Sequence, residues 1–563
     1  MIYHCEDHTC NYWDEGEKLP ERCPQCGRKL LRANEADMTG DDWTALGNTL
    51  WDAEASDKKR MVDCFRKAAY LGSAWGVCNL GICMEQGNGV EADPVQAFWL
   101  YQQAVEMGSL NAVCCLGVCY QYGIGTAPDA EKAAELYCKA AEYGSPRGQM
   151  LLARAFHDGI GVEADAAEAV HWVRAAAYQR YGEGMHRLGV CYAYGDGVEQ
   201  NWEHAVHWFR EAAESGVSVA MTDLGYCYEK GCGVEQSWEQ AFSWYRRGAE
   251  CGNLQSMHNL GCCYEKGRGV EQSWEQAFSW YRRSAECGNP VSMSNLGLCY
   301  QMGYGVEQNW QEAIKWYEQG AQCGDLQSMH NLACCYEHGE GVEQNMTEAI
   351  RWYTAAAEGG NADAMHNLGW LYDHGEGVEQ DMKKAICWYE RAAEQNHPAA
   401  MNSLGECYAM GRGVPRDLET AMEWYRRAAE LGEAMADYNM GWHLEQAGKL
   451  SEAYAHYRKA ADGNDDSAWW ALGRFYENGV VVAQDGKEAR RCYETGEKLG
   501  SVKCKMRLAR CKLLGIGGRR EKKAGLDLCR QALELAKESS EKEDYGYEAE
   551  MNLLRRTIAE NES

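Results

Sequence analysis

The chain has 563 residues with 85 acidic and 56 basic side chains, and its formal net charge is −29 at pH 7. Nucleic acid and anionic membranes repel such a protein, so both are disfavoured as partners, whereas a basic protein or peptide is compatible with this charge. No apolar run approaches the roughly 20 residues of a membrane helix and the first residues lack the apolar segment of a signal peptide, so we expect a cytoplasmic protein.

Residues 1–32 differ from the rest of the chain and contain two closely spaced pairs of cysteines. Cys5 and Cys10 are separated by four residues, and Cys23 and Cys26 are separated by two. Two short turns of this kind can present four thiolates at the tetrahedral angles that zinc prefers. We therefore predict one structural zinc ion with these four cysteines as ligands.

The first cysteine pair leaves two choices for the second ligand. His8 could replace Cys10, but Asn11 tolerates the left-handed backbone that usually follows such a ligand and so favours Cys10. The segment resembles a rubredoxin-like zinc ribbon, with Leu-Pro-x-x-Cys-Pro-x-Cys-Gly at 19–27 and a longer first turn than is usual. Iron is the less favoured metal, because nothing else in the sequence suggests electron transfer.

A Leu-Gly pair then recurs at a nearly constant step along the chain. The register positions are Leu46, Leu80, Leu116, Leu152, Leu188, Leu224, Leu260, Leu296, Leu332, Leu368, Leu404, Met440, Leu472 and Leu508. Eleven of the thirteen intervals are 36 residues, one is 34 and one is 32. Such a period is typical of stacked helical pairs that bury their apolar faces on each other. We predict a linker at 33–41, about 14 units over 42–540 and a capping helix at 541–563.

The unit around Leu224 shows how one helical pair is encoded. Apolar residues three and four apart predict a first helix, which Gly231 and Gly233 end, because glycine accepts the left-handed conformation at a helix C-terminus. Ser237 and Gln240 have the spacing of a capping box and predict the start of a second helix. A second apolar stripe follows, so the two helices should pack in antiparallel fashion.

This unit resembles the Sel1-like repeat, a relative of the tetratricopeptide repeat. The resemblance rests on A-M-x-x-L-G-x-C-Y-x-x-G-x-G-V followed by A-x-x-W-Y-x-x-A-A-E-x-G, seen from Leu188 to Leu404. It implies an all-α fold, a right-handed α-solenoid whose first helices face a concave, protein-binding surface. The unit around Met440 has Ala447-Gly448-Lys449 in place of the glycine loop and looks like a tetratricopeptide repeat, and the unit around Leu46 looks like a degenerate cap.

Most of the 28 cysteines follow the repeat and do not form a disulfide pattern. Nine of them lie three residues after a register leucine: Cys83, Cys119, Cys191, Cys227, Cys263, Cys299, Cys335, Cys407 and Cys511. Ala155, Leu371 and Phe475 occupy the same position in other units, so it requires a buried apolar group and not a thiol. We expect free thiols in a reducing compartment.

Other repeated residues fit packing or solvent exposure better than chemistry. Wherever Gly-x-Gly occurs in the repeat it follows a helix, so it is a turn and not a phosphate loop. One histidine per unit (His186, His258, His330 and His366) cannot converge on a metal. Tryptophans twenty residues after the register leucine should pack, and glutamates in register, such as Glu199 and Glu235, should form an exposed acidic row. No catalytic constellation stands out, so we predict that the chain is not an enzyme.

The residues just before the register leucine vary between units and are the predicted binding surface. They are Arg187, Asp223, Asn259, Asn295, Asn331 and Asn367. The asparagines could instead bond the backbone of a neighbouring unit. The predicted function is a non-catalytic adaptor that binds a protein or peptide segment on the solenoid. Alternatives are a redox or enzyme-associated protein with a rubredoxin-like iron site, and a secreted effector that acts on host proteins.

Overall fold

The computed structural model describes residues 2–5, 13–15, 30–33, 35–51, 55–542 and 548–562. Antiparallel helical pairs make up most of these residues, and they form two compact bodies, residues 1–289 and 290–563. Each body is an array of stacked units, so the predicted all-α solenoid class is confirmed for the repeats. No described helix is both long and apolar enough to span a bilayer.

The N-terminal body begins with a small antiparallel sheet that the all-α prediction did not include. The sheet has the order β2-β1-β3, with strands β1 (Ile2–Cys5), β2 (Trp13–Glu15) and β3 (Leu30–Ala33). In the central strand, Ile2 pairs with Glu15 on one side and Ala33 on the other, and Cys5 pairs with Leu30. Strand β3 therefore crosses the predicted boundary at residue 32.

Fourteen helices follow in the N-terminal body, after a short 3-10 turn at Glu35–Asp37. They are α1 (Gly40–Thr49), α2 (Ala55–Tyr70), α3 (Ala74–Gln86), α4 (Pro94–Glu106), α5 (Leu110–Tyr122), α6 (Ala130–Glu142), α7 (Pro146–Asp158), α8 (Ala166–Tyr178), α9 (Gly182–Tyr194), α10 (Trp202–Glu214), α11 (Ser218–Lys230), α12 (Trp238–Glu250), α13 (Leu254–Lys266) and α14 (Trp274–Glu286). Odd-numbered helices are called A helices and even-numbered ones B helices. Each A helix packs on the B helix that follows it.

The C-terminal body continues the same pattern. It contains α15 (Pro290–Met302), α16 (Trp310–Gln322), α17 (Leu326–His338), α18 (Met346–Gly359), α19 (Ala362–His374), α20 (Met382–Glu394), α21 (Pro398–Met410), α22 (Leu418–Glu430), α23 (Ala434–Gln446), α24 (Leu450–Asp462), α25 (Asp466–Asn478), α26 (Gly486–Lys498), α27 (Val502–Leu514), α28 (Lys522–Lys542) and α29 (Glu548–Glu562). The last helix, α29, lies against α27 and α28.

The predicted start and stop residues act at the helix ends. Ser237 accepts a hydrogen bond from the Gln240 amide at the start of α12, and Asn253 accepts one from the Ser256 amide at the start of α13. Gly231 ends α11 with φ of 73°, in the left-handed region that favours glycine. These caps satisfy backbone groups that would otherwise lack partners, so they fix where each helix begins and ends.

The second loop glycine has a different role. Gly233 also has positive φ, and a Cβ atom on it would collide with the backbone carbonyl of Trp202, the first residue of the preceding B helix. Gly197 and Gly269 have the same relation to Ala166 and Trp238. Within the N-terminal body, each loop therefore touches the backbone of the preceding unit.

In nine units the core is centred on a buried tyrosine that lies 21 residues after the register leucine, and in the unit around Met440 the buried Tyr457 lies 17 residues after the register position. Among the largest fully buried side chains are Tyr101, Tyr137, Tyr245, Tyr281, Tyr317, Tyr353, Tyr389, Tyr425, Tyr457 and Tyr493. The Leu-Gly glycine makes room for this ring, because a Cβ atom on Gly225 would lie 2.5 Å from the Tyr245 ring. The nine register cysteines are 0–3% exposed, and so are Ala155, Leu371 and Phe475, which confirms a buried apolar position.

Candidate functional site

The exposed faces of the A helices carry the residues that differ most between units. The position two after the register leucine is occupied by Ile82, Val118, Arg154, Val190, Tyr226 and Cys262 in the N-terminal body, and by Leu298, Cys334, Trp370, Glu406 and Trp442 in the C-terminal body. Tyr226 is 45% exposed, whereas Leu224, the register leucine of the same helix, is buried. We call this row, together with the position before the register leucine, the A-helix surface.

The predicted binding residues are half-buried on this surface and are spread over successive A helices. Several of them bond the side chain of the preceding A helix. Oδ2 of Asp223 lies 2.6 Å from Nε2 of His186, and the Asn367 amide lies 3.2 Å from Nε2 of His330. Asn259 and Asn331 accept hydrogen bonds from Gln255 and Gln327 on their own helices. Asn295 is also half-buried.

These contacts form a polar ladder between neighbouring A helices. Each contact joins the residue two positions before one register leucine to the residue one position before the next register leucine. Further examples are His366 with Ser403 and Asn402 with Asn439. The neighbours of the asparagines are thus mainly side chains and not the backbone. Three of the four histidines noted in the repeat, His186, His330 and His366, are part of this ladder.

The ladder histidine His366 lies next to a second histidine, His397, in the C-terminal body. The ring of His366 stacks on that of His397 with centroids 5.2 Å apart, and Nε2 of His397 lies 3.1 Å from Oδ1 of Asp363. Burial and the neighbouring His397 lower the pKa of His366 to about 4. The hydrogen bond from His397 lowers the pKa of Asp363. His366 is therefore neutral at physiological pH.

The predicted tryptophans lie at the edge of the core and not in its centre. All eight are half-buried, and four of them carry an arginine three residues later over the ring, as Arg247 lies 4.2 Å from the ring centroid of Trp244. The glutamates in register are exposed in the loops between A and B helices, as expected.

The buried tyrosines also make a polar contact that the sequence analysis did not identify. In eight units the hydroxyl donates to a Glu or Gln five residues after the register position, at 2.5–2.9 Å. The pairing is visible as a spacing of 16 residues in the sequence, for example between Glu229 and Tyr245. Where Phe209 replaces the tyrosine, Ala193 replaces the acceptor, which supports a paired role.

The unit around Leu152 breaks this pattern and contains a cavity of about 400 Å³. Val173 stands where the tyrosine would be, and Ala153 follows the register leucine in place of glycine. The cavity lies between α7, α8 and α9. Its apolar lining residues are Met150, Ala153, Ala169, Val170, Val173 and Cys191. Its polar lining residues are Arg154, His157, Asp158, Glu183, Arg187 and Asp196.

The cavity has a buried apolar end and a charged, exposed mouth. Val170 and Val173 are each 3% exposed, whereas the Arg154 side chain is 64% exposed. At the mouth, Nδ1 of His157 lies 2.7 Å from Asp158 and its Nε2 lies 3.4 Å from Asp196. A hydrogen bond from His157 and the neighbouring Arg154 hold the pKa of the Asp158 carboxyl below its ordinary value.

One predicted binding residue, Arg187, lies at this cavity. Its guanidinium donates to Asp196 at 3.1 Å. Arg154 and His157 at the mouth pair with Asp158, so each of these three basic side chains has an acidic partner. The other predicted residues lie on other A helices. The missing tyrosine at Val173 was the signal in the sequence that could have located the cavity.

Most of the predicted metal ligands lie outside the described residues. These are Cys10, Cys23 and Cys26, with the alternative His8. Cys5 is described only by its backbone, at the end of β1. No group of three or more candidate ligands that could hold a metal ion occurs among the described side chains.

A family model described as Sel1 repeat matches most of the chain. The matched ranges are 76–109, 112–145, 146–181, 182–217, 218–253, 254–289, 290–325, 326–361, 362–397, 398–433, 434–465, 468–501 and 502–537. They include the unit around Met440, for which a tetratricopeptide-like unit was expected. They begin at residue 76, so α1 and α2 precede the first match. No curated protein matches the chain.

Two solved structures are similar to parts of this chain. A protective antigen of uropathogenic Escherichia coli with an SLR fold is 29% identical, with 76% of this chain and 90% of the antigen covered and a TM-score of 0.55. A Sel1 repeat protein from Oxalobacter formigenes is 31% identical, with 43% of this chain and 96% of that protein covered and a TM-score of 0.41. The repeat-by-repeat match over most of its length shows that the chain belongs to the Sel1 repeat family.

Proposed function

We propose that the protein is a non-catalytic scaffold that binds a protein or peptide segment on its A-helix surface. The observation that carries this proposal is the contrast between the two faces of the A helices. Buried positions repeat as Leu, Gly and Cys, whereas the position two after the register leucine changes from the exposed Tyr226 to the half-buried Trp370 and Glu406. Stacked repeats present extended surfaces for binding, and variation along such a surface is what selective recognition of a partner requires.

The charge of the chain supports a basic partner segment. The net charge is −29, and exposed glutamates recur in the loops beside the A helices. Opposite charges speed the encounter between partners and are screened by salt. We expect the affinity for the partner to fall between low and high salt, whereas a salt-independent affinity would remove the basic segment from this proposal.

The binding surface can be tested by affinity purification from the native cell with the full chain and two matched variants. Tyr226→Ala changes the A-helix surface of α11, and Tyr178→Ala removes a tyrosine that is 69% exposed at the end of the B helix α8. We expect the first variant to lose partner protein and the second to retain it. Equal recovery with both variants would contradict binding on the A-helix surface.

We also propose that residues 1–32 bind one zinc ion through Cys5, Cys10, Cys23 and Cys26. Support comes from the spacing of the four cysteines and from the sheet register, which places Cys5 opposite Leu30, four residues after Cys26. Bound zinc would tie the two turns together and supply folding free energy. Elemental analysis should find about one zinc per chain, and this zinc should be lost in Cys23→Ser and kept in Cys251→Ser. Visible absorbance with bound iron would instead favour the redox alternative.

A reducing, cytoplasmic location is part of the same proposal. It is supported by the register cysteines, which are buried as thiols in apolar surroundings. Titration of the denatured protein with a thiol reagent should detect nearly all cysteines, and a low count would argue for an oxidising compartment.

A further inference from the structure

We infer that the cavity of the unit around Leu152 receives a phenylalanine side chain from the partner polypeptide. This inference rests on the proposed scaffold function and names one site and one partner residue for it. The cavity volume of about 400 Å³ lies within the range of ligand pockets, which is roughly 300–1,000 Å³. Its apolar end and charged mouth suit a side chain that is apolar at its tip and joined to a polar backbone.

The same chain shows what fills this position elsewhere. In the unit around Leu224, the Tyr245 ring packs on Gly225, and its hydroxyl donates to Glu229 at 2.9 Å. In the next unit, Asn259 and Cys263 hold the positions that correspond to Arg187 and Cys191.

The residues that line the cavity occupy the same repeat positions as the residues that surround Tyr245. Ala153 corresponds to Gly225, His157 to Glu229, and Arg187 and Cys191 to the residues of the following A helix. Ala333 also replaces the glycine, yet its unit keeps the buried Tyr353, so the change to Val173 is what leaves the ring position open. The cavity is thus a space in which this fold ordinarily holds an aromatic ring.

The direction from which a partner side chain enters the cavity determines whether phenylalanine or tyrosine fits it better. The native tyrosines extend from the B helix, so their hydroxyls reach the polar residues of the A helices. A side chain that enters through the mouth has its tip at Val170 and Val173, where a hydroxyl would be buried without a partner. An unpaired buried hydroxyl is costly, so the site should prefer phenylalanine.

The mouth is suited to the backbone of a bound peptide. Arg154 is the more exposed arginine, and Glu183 is exposed beside it. A guanidinium can donate to a peptide carbonyl, and a carboxylate can accept from a peptide N–H. The two guanidinium groups already have acidic partners, so the mouth has no excess positive charge to select an anionic aromatic ligand.

The inference is tested first with small probes and the full-length protein. N-acetyl-phenylalanine amide and toluene should give ligand-observed NMR saturation transfer. N-acetyl-tyrosine amide should bind about tenfold more weakly than the phenylalanine compound. Val173→Tyr fills the cavity with the residue that most units carry, so it should abolish these signals while its circular dichroism stays unchanged. Tyr245→Val should create a second toluene site.

A random peptide library selected on the wild-type protein and on Val173→Tyr then links the cavity to partner binding. Peptides with an invariant phenylalanine should be enriched on the wild type only. Peptides enriched equally on both proteins would overturn this inference and leave the scaffold function standing. An absence of both enrichment and probe binding would overturn the inference together with peptide binding on the A-helix surface.

Discussion

The buried tyrosine–acid pairs predict a measurable loss of stability when one hydroxyl is removed. Tyr281 has no exposed surface, its hydroxyl donates to Glu265 at 2.5 Å, and its oxygen lies 3.3 Å from Sγ of Cys262. Burial raises the pKa of Tyr281, so the hydroxyl is protonated at neutral pH and acts as the donor. Tyr281→Phe keeps the ring and removes only this donor. We expect the free energy of unfolding to fall by about 1.5–3 kcal/mol, as for a hydrogen bond to a charged group.

A double-mutant cycle separates the hydrogen bond from other effects of the substitution. Phe209 and Ala193 form a natural version of the pair without its polar groups, so Tyr281→Phe combined with Glu265→Ala should be tolerated. Tyr281→Phe alone leaves the Glu265 carboxylate without its hydroxyl donor, which is unfavourable. Glu265→Ala removes the carboxylate and therefore this cost. The double variant should therefore lose about 1–2 kcal/mol less than the sum of the two single variants.

The assay must allow for the repeat architecture. Long arrays do not always unfold in one step, so urea denaturation followed by circular dichroism should be combined with hydrogen exchange of α14. Tyr194→Phe is a matched control, because Tyr194 is 74% exposed and should change stability by no more than about 0.5 kcal/mol. A wild-type stability for Tyr281→Phe, or strict additivity in the cycle, would refute the reasoning.

Substitutions at three further positions test other parts of the unit. Cys227→Ala should be tolerated because Ala155 holds this position in another unit, whereas Cys227→Ser should cost about 1–3 kcal/mol by burying a hydroxyl; urea denaturation of both compares them. Gly261→Ala should cost about 1–3 kcal/mol in the same assay, since its Cβ would lie 2.5 Å from the Tyr281 ring. The pKa of His366 is about 4 in the folded protein and 6.5 ordinarily, so as the pH falls this imidazole is protonated at a higher pH in the unfolded state than in the folded state. Stability should therefore fall between pH 6.5 and 4, by up to about 3 kcal/mol, and His366→Asn should reduce that loss; equal pH dependence of both proteins would contradict the assignment.

Local rules predicted the helical pairs well because the same short-range signals recur in every unit. Glycine in the left-handed conformation and the Ser or Asn caps act within a few residues, so they could be located from spacing alone. The sheet at the N-terminus was not predicted, because its strands have only three or four residues and no repeated pattern.

The aromatic residues show where spacing is insufficient. Trp244 and Tyr245 are neighbours in the repeat, and either could have been the core residue. Successive residues on a helix point about 100° apart, and only the packing shows that Tyr245 enters the core while Trp244 stays half-buried under Arg247. The cavity could not be predicted from spacing either. The sequence shows Val173 in place of tyrosine, but it does not show that the neighbouring side chains leave the space of the ring open.

The second loop glycine has a consequence for how this chain can vary. Gly233 brings the loop against the main chain of the preceding B helix, so the distance between neighbouring units depends on backbone contact more than on side-chain size. Substitutions at exposed A-helix positions such as Tyr226 can then alter what is recognised without changing the spacing of the stack. If the A-helix surface binds the partner as proposed, recognition and assembly depend on different atoms of the same repeat, and each can evolve while the other is kept.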